Sequence, residues 1–107
     1  MKKVYEIIKG NLKSYLMKNG AVVIDSSIDD HKLLIVEKNR IMYVDVHASG
    51  RKNVDGKKLW SITINENKEW SEPFFVTSTE RNFREVYEKL EIDQSISSFD
   101  KIIYALS

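Results

Sequence analysis

Residues 58–76 read Lys-Leu-Trp-Ser-Ile-Thr-Ile-Asn-Glu-Asn-Lys-Glu-Trp-Ser-Glu-Pro-Phe-Phe-Val, and this stretch decides the fold. It holds both tryptophans, two of the four phenylalanines and the only proline. Successive side chains of a strand point to opposite faces. Trp60, Ile62 and Ile64 therefore share one side, and Leu59, Ser61, Thr63 and Asn65 the other. Asn65-Glu66-Asn67-Lys68 carries turn chemistry between two apolar runs, which predicts a hairpin. Proline cannot donate to a ladder, so residues 69–77 are expected to form an edge strand or to carry a bulge. A sheet with such an apolar face needs a cover.

Helical patterns on both sides of the strands supply one. Val4, Ile8, Leu12, Tyr15 and Leu16 recur at helical spacing, with lysines opposite. Gly20 stands where a glycine ends a helix, and Gly10 inside it lowers its intrinsic stability. Downstream, Thr77-Ser78-Thr79-Glu80 has the spacing of a capping box, followed by the stripe Phe83, Val86, Tyr87 and Leu90. Ser97 or Ser98 then precedes a second short stripe, Phe99, Ile102, Ile103 and Leu106.

Between the first helix and the tryptophan hairpin lie three further strands. Residues 21–25 form a short one, and Leu33-Leu34-Ile35-Val36 is apolar on both parities, as in a strand covered on both faces. Lys38-Asn39 suits a tight turn. Ile41 to His47 returns with Met42, Val44 and Val46 on one face and Ile41, Tyr43, Asp45 and His47 on the other. Residues 48–57, with Gly50 and Gly56, form the longest loop. The order α-β-β-β-β-β-α-α predicts an α+β fold over residues 1–107: a single domain with an antiparallel five-strand meander, one N-terminal helix and two C-terminal helices.

Composition narrows the function. The chain has 107 residues, 42% apolar and 31% charged, which is the range of one soluble domain. Without cysteine it has no disulfide, thiolate metal site or thiol nucleophile. No apolar run reaches the ~18 residues of a membrane span. The start Met-Lys-Lys-Val-Tyr-Glu-Ile-Ile-Lys-Gly lacks the uninterrupted apolar core of a secretory signal, so a cytoplasmic location is expected. A net charge of +1 argues against strong nonspecific binding to nucleic acid. The charge is uneven, however. Residues 1–20 carry five lysines and one glutamate, and residues 48–58 carry Arg51, Lys52, Lys57 and Lys58 against Asp55. Residues 80–107 carry six carboxylates and four basic groups.

Catalytic chemistry finds little to stand on. Asp25, Asp29, Asp30 and His31 cluster around one connection, and Asp45 and His47 share a strand face. A hard cation would need the two groups to converge. As turn-capping and surface groups they need no cation, and no metal or other cofactor is expected. There is no Gly-x-Ser-x-Gly elbow, and Gly50–Lys57 lacks the Walker spacing. Val44-Asp45-Val46-His47 resembles the second half of the PD-(D/E)XK nuclease pattern, with His47 where that family has lysine. The lysine would stabilise a charged oxygen, so the departure points to a degenerate, nuclease-like domain rather than an active one.

Two binding readings are left. Arg51, Lys52, Lys57 and Lys58 with Tyr43 and Trp60 could serve nucleic acid if the rings were exposed. Trp70, on the edge strand between Glu69 and Glu72, could instead anchor a protein interface, the role in which tryptophan, tyrosine and arginine dominate.

The lysine-rich first helix, the meander with Lys58-Leu-Trp-Ser-Ile-Thr-Ile and Trp70-Ser-Glu-Pro-Phe-Phe, and the closing helix resemble the small bacterial immunity proteins that neutralise contact-dependent and polymorphic toxins. Phage-encoded inhibitors of host defence enzymes share this profile. The resemblance implies a non-enzymatic, cytoplasmic inhibitor that binds and blocks a protein partner, a cognate toxin such as a nuclease. Asp29, Asp30, Arg51, Lys52, Trp70, Glu72 and Glu80 are the candidate partner-binding residues. Nucleic-acid binding is the second reading, and no membrane partner is expected.

Overall fold

The computed structural model describes residues 3–25, 31–37 and 40–91. The chain is an α+β domain built on one antiparallel sheet. A helix, α1 (Val4–Lys18), comes first. Six strands follow: β1 (Val23–Asp25), β2 (Lys32–Glu37), β3 (Arg40–Lys52), β4 (Lys58–Glu66), β5 (Glu69–Trp70) and β6 (Phe74–Val76). A second helix, α2 (Arg84–Leu90), closes the described part. The expected helix over Phe99–Leu106 and the Lys38-Asn39 turn lie outside the described residues.

The strands pair in the order β1-β2-β3-β4-β5, and β6 also pairs with β4. The outer edge beyond β4 is thus two short strands where the sequence predicts one. Pro73 explains the break, because it removes a ladder donor. At the interruption the Ser71 hydroxyl accepts from the Ile64 amide at 2.9 Å, and the Ser71 amide donates to the Ile64 carbonyl at 2.8 Å. A side-chain oxygen stands in for a strand carbonyl, and no buried amide is left unsatisfied there.

Parity governs burial as expected in β3 and β4. Met42, Val44, Val46, Ile62 and Ile64 are buried on one face, joined by Val23, Leu33, Ile35 and Val76. Across this face lies α1, whose Ile8, Leu12 and Leu16 are wholly inaccessible. The helix is rotated slightly from its expected phase, with Tyr5 buried and Val4 at the margin. Phe83, Val86, Tyr87 and Leu90 complete the core. Tyr15 and Phe83 meet edge to face at 6.1 Å, and the Tyr87 hydroxyl donates to the Asn19 carbonyl at 2.6 Å.

Backbone conformation fixes both ends of this cover. Asn19 ends α1, and Gly20 follows at φ 96°. The Gly20 amide donates to the Met17 carbonyl, and the Ala21 amide to that of Leu16. This is the Schellman arrangement, with Ala21 and Leu16 in apolar proximity. The start of α2 departs from expectation. Thr77–Glu80 forms a separate turn closed by the Glu80 amide on the Thr77 carbonyl, and the helix begins at Arg84. The Glu80 carboxylate accepts from the Arg81 and Asn82 amides, so it caps its own turn instead of helix position N3.

The β4–β5 hairpin turns through Asn67 and Lys68, both at positive φ (55° and 66°). A two-residue turn of this kind matches the strand twist, but favours glycine at its second position. Lys68→Gly is therefore expected to raise stability by about 0.5–1 kcal/mol, and Gly20→Ala to lower it by about 1 kcal/mol. Urea unfolding of both variants against the parent checks the pair. A stabilised Gly20→Ala variant would contradict the left-handed cap.

Candidate interaction surface

The sheet face away from α1 is the candidate site. Register pairs Ile24 with Leu34, Leu34 with Tyr43, Tyr43 with Asn65, and Asn65 with Trp70. These five residues therefore form one row across five strands, on the face opposite the core. Four inter-strand steps span roughly 19 Å. Ile24 is 48% exposed, Tyr43 36% and Trp70 54%. Beside the row, Val36 pairs with Ile41, which is 56% exposed. Such an apolar strip is uncommon on a surface facing only water. The Lys32 ammonium sits 5.7 Å from the Tyr43 ring centre and gives the strip a polar rim.

Towards the β3–β4 turn the same face carries Arg51. His47, Ser61 and Phe75 form the row there. The Arg51 guanidinium lies 4.8 Å over the Phe75 ring, a geometry in which the ring quadrupole attracts the cation. Between Ala48 and Lys52 the β3–β4 register shifts. Ser49 closes the bulge by donating its hydroxyl to the Leu59 carbonyl and accepting from the Arg51 amide.

Of the residues the sequence singled out, Trp70 and Glu72 are exposed at the β5–β6 edge. Arg51 and Lys52 are exposed on the β3–β4 hairpin, at the other end of β4 from Trp70. Glu80 is engaged in its own turn. Asp29 and Asp30 lie outside the described residues.

The acid–base candidates do not converge. Asp25 faces α1, where Lys13 contacts it at 2.7 Å and Lys9 at 3.6 Å. Asp45 lies on the opposite face, buried at 3% exposure, with one oxygen 3.8 Å from Nε2 of His47. The two carboxylates are thus separated by the sheet itself. Among the described residues no group of three His, Asp or Glu is placed to hold a metal ion. His47 stacks on His31 at 4.7 Å, and His31 on Tyr5 at 4.1 Å. Nδ1 of His31 lies 3.1 Å from the Val46 carbonyl, which accepts only, so Nδ1 carries the proton. These rings pin the start of α1 to the sheet; no local pattern in the sequence marks the stack.

No known protein family, characterised protein or solved structure matches this chain. Among the described residues no helix is long and apolar enough to cross a membrane.

Two ion pairs brace the scaffold beneath this surface. The Lys13 hydrogen bond, helped by the charges of Lys13 and Lys9, holds the Asp25 carboxyl below its ordinary range against a smaller opposing effect of burial. Hydrogen bonds from Arg40 do the same for Glu66, with Nε at 3.0 Å and a terminal nitrogen at 2.8 Å. Arg40 also donates to the Glu91 carbonyl, joining both strands to the end of α2. Both carboxyls bind protons more weakly folded than unfolded, so their contribution is present above the unfolded carboxyl pKa of about 4 and fades as pH falls through the lowered native values. Stability should therefore decline below about pH 4–5, and Asp25→Asn with Glu66→Gln should flatten that decline. Thermal unfolding between pH 3 and 7 measures it; an unchanged profile in the double variant would contradict the assignment.

Proposed function

We propose that the chain is a non-enzymatic protein-binding inhibitor of the immunity-protein kind, which blocks a cognate toxin or another enzyme by covering it. The observation that carries this reading is the row Ile24, Leu34, Tyr43, Asn65 and Trp70 on the open sheet face, in which Ile24, Tyr43 and Trp70 are exposed. A rigid sheet presents these side chains without ordering a loop, so little conformational entropy is lost on association. Tyrosine and tryptophan are the anchors that carry most binding energy in protein interfaces. A polar rim is at hand in Lys32, Glu72 and Arg51. The face suits occlusion, in which the inhibitor contributes area and shape while the partner supplies the chemistry.

Tyr43→Ala and Trp70→Ala test it. Each truncation at a hot spot costs about 2 kcal/mol or more, roughly thirtyfold in affinity. The tagged parent chain should retain one protein partner at 1:1 from its native lysate and suppress that partner's activity at equimolar dose. Both variants should lose the partner while keeping the parent's urea midpoint. Retention of the partner by the folded double variant would remove the open face as the interface. A captured protein whose activity is unaffected would remove the inhibitor reading.

A further inference from the structure

The β3–β4 hairpin runs past its neighbours. On one side β2 stops with Lys32 opposite Asp45, and on the other β6 stops with Val76 opposite Trp60. Among the described residues no strand pairs with the outer edges of residues 49–59, which form a two-stranded arm. Its turn is built rather than loose. The Asn53 amide donates to the Lys57 carbonyl and the Gly56 amide to the Asn53 carbonyl, while the Asn53 side-chain oxygen accepts from the amides of Asp55 and Lys57. Gly56 takes the left-handed conformation this turn needs, at φ 76°. Val54 stands at the tip, fully exposed.

The charge on this arm is costly in isolation. Lys52 and Lys58 are direct cross-strand partners, a placement in which like charges repel. Among the described residues no carboxylate lies within ion-pair reach of Arg51, Lys52, Lys57 or Lys58. Lys58 has the parity of Trp60, and Lys52 pairs with it, so both belong to the core-side face of the ribbon; Arg51, over Phe75, belongs to the other. At the far end of the same two strands Arg40 is paired with Glu66, and the nearby α2 balances Glu85 and Glu88 with Arg84 and Lys89. Unpaired positive charge on the two strands is thus concentrated in the arm.

We propose that this arm binds double-stranded DNA by entering the major groove tip first. A two-stranded ribbon with its side chains is on the order of 10 Å thick, and the groove is about 12 Å wide. Cations on both faces then meet the phosphates of both walls, and the apolar Val54 reaches the floor, where thymine presents a methyl group. This arrangement distinguishes a groove from an acidic protein surface, against which cations on one face would suffice. The deep, narrow major groove of an A-form RNA helix does not admit the ribbon. The inference stands apart from the inhibitor reading, since Lys52 and Lys58 lie on the core-side face of the ribbon while Tyr43 and Trp70 lie on the open face, and either pair can be disabled alone.

Fluorescence anisotropy of the full chain with a labelled DNA duplex of about 20 base pairs tests it. Four phosphate contacts predict that affinity falls roughly 150-fold between 50 and 200 mM salt. Lys52→Glu with Lys58→Glu should weaken binding at least tenfold and halve the salt slope, at an unchanged urea midpoint. An RNA duplex of the same sequence should bind at least tenfold less tightly. Absence of DNA binding at 50 mM salt, parent-like binding by the charge-reversed variant, or equal binding of the RNA duplex would each overturn the proposal. Binding of a polyglutamate peptide as tight as that of DNA would also overturn it and reassign the arm to an acidic protein.

Discussion

The pairing of β3 with β4 is the constraint on which the rest of the molecule hangs. Seven consecutive pairs, from Met42 with Glu66 to Ala48 with Trp60, hold one register. A slip of one residue would turn Val44, Val46, Ile62 and Ile64 to water and drive Asp45 and Thr63 into the core. Every other element takes its place from this ladder. β2 extends it on one side, β5 and β6 on the other, α1 covers its apolar face, and its distal part becomes the arm.

Division of labour between the two faces follows. On one, apolar side chains from five strands and two helices are buried together. The other keeps tyrosine, tryptophan and isoleucine accessible, and the buried Asp45 sits in the row between Lys32 and Thr63. Burying a carboxylate is expensive unless its charge is compensated. Its position beside His47 ties that balance to the ring stack that secures the start of α1.

Much of this was legible locally. Period-two alternation placed Met42, Val44, Val46, Ile62 and Ile64 inside, helical spacing found Ile8, Leu12 and Leu16, and Gly20 marked the end of α1. Phe83, Val86, Tyr87 and Leu90 were found as one stripe even though the start of α2 was misplaced, because Glu80 serves a turn with the same spacing signature as a capping box. What escaped depends on register. Nothing near Ile24 in the chain foretells Tyr43 and Trp70 in its row, and nothing near Lys52 foretells Lys58 directly across from it. The split of the edge into β5 and β6 was half visible: Pro73 announced a break, but the Ser71 hydroxyl that bridges it becomes apparent only with Ile64 beside it.

That bridge has a further consequence for how the molecule behaves in company. A sheet edge with an unbroken run of free amides and carbonyls is a template on which another chain's strand can grow. Here the outer edge offers only two residues in β5 and three in β6, set apart by a proline and by a serine whose hydrogen bonds are already turned inward. At this edge no incoming strand finds a register longer than a few bonds. The chain can thus display Trp70 on its open face while the edge that carries it denies the backbone scaffold from which fibrils propagate.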